Sequence, residues 1–213
     1  MLETNYHEEF CIAQYFEEDF IARLMEAGFL VMSTEIEETE SPPPHEAFYI
    51  LLPKLHLERS VLFFDALHIK KSIRRFLPLY ELRVDTDFDL ILRKCVQTHG
   101  SDWLTPPLVF LLKRLREDPP DTRRPAPVSF AVYRDGQLKA GEIGVIAGRV
   151  YTSYSGYHEE ANSGTVQIIL MTQWLEAAGF AFIDFGMPLD YKTELGAQNI
   201  TPARFVELFR AAQ

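Results

Sequence analysis

The sequence predicts an α+β protein, and three observations carry that expectation. Residues 128–157, "VSFAVYRDGQLKAGEIGVIAGRVYTSYSGY", hold three β-prone runs separated by turn signals at Asp135-Gly136 and at Gly148, the pattern of consecutive hairpins. A helical stretch, "NSGTVQIILMTQWLEAAGF", follows with Gly179 at its C-terminal stop. The apolar run "FAFIDFG", 180–186, comes directly after it. Hairpins, then a helix, then a strand allow the helix to cross between neighbouring parallel strands.

The remaining elements follow from period and punctuation. "EEDFIARLMEAGFL" places Phe20, Ile21, Leu24, Met25 and Gly28 at helical spacing and predicts a helix over 16–27. "STEIEETESPPPHE" is acidic and broken by three prolines, so it is expected to be a surface loop before the strand "AFYILLP". "ALHIKKSIRRFL", 66–77, sets Leu67, Ile69, Ile73, Phe76 and Leu77 on one side of an expected helix. "YELRVDTDFD" alternates as a strand does, and "FDLILRKCVQTH" and "PPLVFLLKRLR" are amphipathic helices, the second opened by proline. "REDPPDTRRPAP" is a proline-rich break, and "TPARFVELFRAA" closes the chain as a capped helix. The expected division is a small N-terminal α/β domain, 1–62, followed by a larger domain, 63–213. The order of elements in the second matches the N-acetyltransferase-like (GNAT-like) folds used for acyl transfer.

Composition narrows the function classes. The 213 residues are 47% hydrophobic and 13% aromatic, enough for a sizeable core. No apolar run approaches the roughly 20 residues that span a bilayer, and the acidic N-terminus lacks the basic and apolar regions of a signal peptide. A soluble cytoplasmic protein is expected. Cys11 and Cys95 have neither the spacing nor the company for a zinc site or a disulfide framework and are expected to be two buried thiols. The net charge of −10 belongs to the first 60 residues, which hold 13 acidic and 3 basic side chains; the rest hold 18 of each. Local basic patches are therefore compatible with an acidic chain.

"LHIKKSIRRF", "GSDWLT", "DGQLKAGEIGVIAGRVY", "NSGT", "FID" and "LGAQNI" occur in the order and spacing of the bacterial leucyl/phenylalanyl-tRNA-protein transferases, and the chain resembles that family from about residue 5 to its C-terminus. The resemblance implies a GNAT-like C-terminal domain and no metal or organic cofactor. It implies as partners an aminoacyl-tRNA, held at its 3′ acceptor end, and a protein with an exposed N-terminus. The implied activity moves an amino acid from the tRNA to the protein's α-amine and marks that protein for degradation, as in the N-end rule.

The residues acquire roles under that resemblance. Lys70, Lys71, Arg74 and Arg75 lie at i, i+1, i+4 and i+5, on one side of a helix, where four like charges call for an anion; read alone they are as readily a solvated face. The resemblance makes them the contact to tRNA phosphates, which positions the acceptor stem without reading its sequence. Trp103 is by default a core residue, and in the family it shapes the pocket of the terminal adenosine. Asp184 matches a catalytic-site aspartate that can orient the attacking amine or relay its proton.

Two departures touch the reaction centre: Gly186 stands where relatives commonly carry Gln, and Tyr154 replaces a site glutamate while Ser155 remains. Tyr154 and Gln167 are the candidates to take over hydrogen bonding, with a packed Tyr and an exposed Gln as the alternatives. A third departure puts Glu142 where the amino-acid pocket usually has an apolar residue; the other wall positions map to Gly156, Met171 and Ile183. A carboxylate and a larger pocket point toward arginine as the transferred residue, with Leu or Phe transfer through an altered pocket, or a non-catalytic tRNA- or degron-binding protein, as alternatives. Arginyl transfer would call for a basic acceptor site, for which Arg149 and Lys192 are candidates. An acetyl-CoA enzyme is disfavoured because "HEEANSGT" lacks the basic, glycine-rich pyrophosphate loop and adds two acids beside it.

Overall fold

A computed structural model describes residues 9–36, 48–117 and 124–213. Helix α1 (Glu18–Glu26) leads into strand β1 (Leu30–Ile36), which pairs antiparallel with β2 (Phe48–Lys54) in a two-stranded sheet. The larger sheet has seven strands: β3 (Arg59–Leu62), β4 (Glu81–Val84), β5 (Ala126–Arg134), β6 (Gln137–Ala147), β7 (Val150–His158), β8 (Phe182–Gly186) and β9 (Gln198–Ile200). Their order is β4-β5-β6-β7-β8-β3-β9, antiparallel throughout except for the parallel pair β7 and β8. The result is a mixed sheet in an α+β chain.

The helices are α2 (Lys71–Arg74), α3 (Phe88–His99), α4 (Pro106–Glu117), α5 (Ser163–Ala177), α6 (Asp190–Glu194) and α7 (Pro202–Ala211). One face of the large sheet packs Ala131, Tyr133, Ile143 and Val145 against α1, α3 and α4. Side chains of the opposite face, Phe130, Val132, Tyr151 and Ile183, pack against Ile169, Met171 and Leu175 of α5. Phe205 and Phe209 of α7 close a third cluster on Val61, Val150 and Phe182. Alternation explains why β8 reads as an unbroken apolar run: Phe182 and Ile183 serve different clusters, and all five residues of the strand are buried.

The hairpins, α5 as the crossover, and α1, α3, α4 and α7 occur where the sequence predicts them. The turn between β5 and β6 places Asp135 at φ 51° and Gly136 at φ 72°, the doubly positive geometry that an Asp-Gly hairpin favours. The helix expected over 66–77 is instead one turn, α2, flanked by 3₁₀ turns. Its N-terminal part is held in extended backbone because His68 N donates to Leu195 O at 2.9 Å, while Pro78 and clustered like charges disfavour extension of the helix. Strand β1 takes up Ser33–Ile36, which the sequence assigns to the acidic loop; the three prolines and the rest of that loop lie outside the described residues, as does 118–123 of the 116–127 break. Cys11 is exposed, contrary to expectation, and Cys95 is buried.

The boundary expected between 62 and 63 follows β3, yet β3 lies between β8 and β9 inside the large sheet. Residues of α1, β1 and β2 share one core cluster with α3 and α4. The N-terminal segment is thus packed into the larger unit, and the separation visible in the sheets falls between β2 and β3.

Gly196 shows how tightly the 66–70 segment is docked. Its φ is +100°, and a Cβ there would collide with the Ala66 carbonyl oxygen, so only glycine allows this approach. Gly196→Ala is expected to lower unfolding stability by about 3 kcal/mol or more, positive-φ strain and overpacking acting together; equilibrium urea denaturation measures it.

Candidate active site

The parallel pairing of β7 and β8 is short. It runs through Val150 with Phe182, Tyr151 with Ile183 and Thr152 with Asp184, and then stops. Beyond that point β7 continues to His158 while β8 ends at Gly186, and a cavity of about 700 Å³ opens between them. Ser153 to His158 line one side and Phe185, Met187 and Lys192 another. Leu30, Met32 and Lys54 of the N-terminal hairpin, with His56 just after it, complete the wall. A cleft at the carboxyl ends of parallel strands is where α/β sheets place their ligands.

Asp184 sits at the apex of this divergence and is fully buried. Arg59 Nε donates to its Oδ1 at 2.8 Å and Nη2 to its Oδ2 at 2.5 Å, with neither side chain exposed to solvent. Thr152 Oγ1 donates at 3.0 Å and the Gly186 amide at 2.9 Å. Four donors occupy the carboxylate, and it does not line the cavity. The expected direct contact of Asp184 with an attacking amine is therefore not the arrangement found: this carboxylate fixes the strand ends. Gly186 shares that task, since φ +66° turns its amide back onto Asp184, and it too lies behind the wall.

The other predicted positions separate into two groups. Trp103, Glu142, Tyr154, Ser155, Gly156 and Gln167 do line the cavity. Met171, on α5, and Ile183, on β8, do not; both are core residues of one cluster, and Gln167 Nε2 donates to Met171 Sδ at 3.5 Å, one turn further along the helix. Lys70, Lys71, Arg74 and Arg75 are exposed and none lines the cavity. Lys70 pairs with Glu194 at 2.7 Å. Arg149 sits in the turn before β7, at the strand end away from the cavity, so of the two basic acceptor-site candidates only Lys192 lines it.

Several polar groups on the wall already have work. The Tyr154 hydroxyl accepts from Val31 N at 3.1 Å and so ties β1 to β7, and burial pushes its proton affinity up. Lys192 Nζ donates to Phe185 O at 2.7 Å and Met187 O at 2.8 Å, and burial holds its pKa below the usual lysine value. His99 Nε2 lies 2.7 Å from Gly156 O. Glu142 accepts from the Tyr151 hydroxyl at 2.9 Å, and burial pushes the carboxyl up to about 7 against the opposing pull of Tyr151, Ser153 and Lys192. His56, Lys54 and the hairpin residues have no counterpart in the sequence reading: an isolated histidine in "LLPKLHLERS" carries no spacing signal. Among the described residues no group of three or more His, Cys, Asp or Glu side chains could hold a metal ion, and no helix is long and apolar enough to cross a membrane.

Residues 61–210 match the sequence profile of the leucyl/phenylalanyl-tRNA protein transferase family. Similar proteins include the leucyl/phenylalanyl-tRNA–protein transferase of Pseudomonas entomophila (strain L48), 29% identical over 154 residues, covering 70% of this chain and 66% of the relative. That of Chromobacterium violaceum is 30% identical over 148 residues, covering 67% of this chain and 61% of the relative. The match thus spans just under two thirds of these relatives' length. Among solved structures, the C-terminal domain of a putative lysylphosphatidylglycerol synthetase from Agrobacterium fabrum matches with TM-score 0.42 and 11% identity over 90% of this chain and 61% of that one. The L-PGS structure from Bacillus licheniformis gives 0.42 and 13% over 73% and 64%. Both likenesses are too distant to fix fold or function.

Two outcomes follow from this geometry. Asp184→Asn leaves a buried guanidinium uncompensated and is expected to cost about 3–5 kcal/mol of stability, read by denaturant unfolding. Glu142 retains a proton in the folded state between its usual pKa near 4.5 and its raised value of about 7. The folded protein binds more protons there than the unfolded chain, so its contribution falls as pH rises through that window. Glu142→Gln, which cannot titrate, is expected to gain stability relative to the parent between pH 5 and 7.5, by up to roughly 3 kcal/mol.

Proposed function

This chain belongs to the leucyl/phenylalanyl-tRNA protein transferase family, and from that membership we propose that it transfers an amino acid from aminoacyl-tRNA to the N-terminal α-amine of acceptor proteins. The observation carrying the reading is that the matched segment, 61–210, includes the two strands whose divergence opens the cavity. In this reading β5 to β8 with α5 form a GNAT-like unit, the aminoacyl ester enters at the end of the β7–β8 pair, and Trp103 faces the terminal nucleoside. Exposed Lys71, Arg74 and Arg75 hold tRNA phosphates, which makes binding steeply dependent on salt. The chemistry asks for a neutral amine beside the ester carbon, a place for the developing oxyanion and a proton for the leaving ribose oxygen. The Arg59–Asp184 pair holds the cavity in shape for those steps, and Tyr154 and Gln167 are polar groups at its wall.

Leucine or phenylalanine is the donor residue that the relatives' names support. A cationic donor such as arginine is the second reading, and Glu142 on the cavity wall favours it. Its force is reduced because the carboxyl already accepts from Tyr151 and is partly protonated near neutral pH.

One assay separates these readings. tRNA charged with Leu, Phe, Arg or Lys is incubated with peptides beginning Arg, Lys, Asp or Glu, and the extended peptide is identified by mass. Leu and Phe transfer is the expected result. Arg transfer with Leu and Phe inert replaces the first reading by the second, and no product from any of the four charged tRNAs removes the transferase reading.

A further inference from the structure

His56 is 4% exposed, lines the cavity, and its Nε2 has no hydrogen-bond partner. A buried polar atom left unpaired costs on the order of 1–3 kcal/mol, so it calls for a function. Gly186 has no Cβ, and one placed there would stand 3.3 Å from Nε2, so a side chain at this position would press on the ring. Several other polar groups on this wall are committed, Tyr154 to Val31, Lys192 to two carbonyls, Glu142 to Tyr151 and His99 to Gly156, while the Tyr157 hydroxyl is, like His56 Nε2, buried without a partner.

The charges around His56 define its protonation. Arg59 on β3 and Lys54 on β2 disfavour a second proton; Asp184 on β8 and Glu9 in the N-terminal segment oppose them. Burial is the largest influence, and together these push the imidazole down to about 4. The ring is neutral at neutral pH and offers one donor and one acceptor nitrogen. A cationic setting that keeps imidazole neutral also disfavours an ammonium beside it, and favours the free amine that attack requires.

Resting on the transferase reading above, we infer that His56 Nε2 accepts a hydrogen bond from the acceptor's α-amine and holds that nitrogen's lone pair toward the ester carbon. The step balances without any other reactant. The amine nitrogen bonds to the ester carbon, the bond from that carbon to the ribose oxygen breaks, and the proton lost from nitrogen ends on that oxygen. His56 begins and ends neutral. Its role is acceptance of a hydrogen bond rather than permanent removal of a proton, so a side chain with a neutral acceptor of similar reach can stand in for it.

The test uses the full chain and two substitutions. His56→Leu keeps the bulk and loses the acceptor; His56→Gln keeps an acceptor. With affinity for charged tRNA unchanged within about twofold, the Leu variant is expected to lose kcat on the order of 100-fold. The Gln variant is expected to recover at least a tenth of the parent value, about the factor one neutral hydrogen bond represents. A Leu variant within about threefold of the parent, or a Gln variant no faster than Leu, overturns the assignment.

A second measurement is independent of turnover. The His56 ring nitrogens, labelled with ¹⁵N, are followed by NMR as peptides beginning Arg, Lys, Asp or Glu are added, alongside their N-acetylated forms. The free-amine peptides are expected to move the Nε2 resonance and the acetylated ones to leave it in place. No difference between the two sets overturns the contact. A moved resonance in a protein that makes no product upholds the contact and counts against the transferase reading alone.

Discussion

The ion pair between Arg59 and Asp184 is the constraint on which the site depends. It is wholly buried and bidentate, and each partner is also bound elsewhere: Asp184 by Thr152 and the Gly186 amide, Arg59 by Gly28 O at 3.2 Å and the face of Phe205 at 4.1 Å. Five segments therefore meet on one guanidinium and one carboxylate: the end of α1, β3, β7, β8 and α7. Taking two charges out of water costs several kcal/mol per ion, and a well-packed apolar pair could give as much stability. What the pair supplies is position. It binds β8 to β3 at the residue where β8 leaves β7, and so fixes where the sheet opens.

That opening explains the character of the wall. Past the last paired residues, main-chain groups of β7 and β8 no longer satisfy each other, and side chains take over: His99 reaches Gly156 O, Lys192 reaches Phe185 O and Met187 O, and Cys95 Sγ reaches Ser155 O. A buried lysine bound by carbonyls and a buried glutamate bound by tyrosine then face one cavity without forming a close ion pair. The site is polar yet poor in free charge, a setting that fits the uncharged nucleophile and ester of the proposed reaction.

Much of the fold was legible because local signals agreed with the tertiary answer. The Asp-Gly turn, the Gly179 stop and the Thr201 cap each mark an element boundary that is found. The signals failed where the environment overrode them. "LHIKKSIRRF" has helical spacing, but its backbone is taken up by Leu195 and pressed against Gly196. Strand β3 is four residues long and β9 three, too short for a period to show. The site was legible in part for a related reason. Residues on β6, β7 and α5 were found because they fall in recognisable strings, whereas Arg59 and His56 act through partners more than a hundred residues away in the chain, which no local pattern encodes. The same distance hid the structural commitment of Asp184: an apolar run with one acid announces a buried charge but not its counterion.

The N-terminal hairpin carries a further implication. Leu30, Met32 and Lys54 form a wall of the cavity, yet among the described residues β1 and β2 make a sheet of their own, joined to the large sheet's unit by shared core packing and by such points as Tyr154 with Val31 and Ser33 with Thr105 and Trp103. The strands that diverge to open the cavity and the lining contributed by this hairpin thus belong to different sheets. Substitutions along β1 can therefore redraw the shape of the cavity while the strand ends pinned by Arg59 remain as they are.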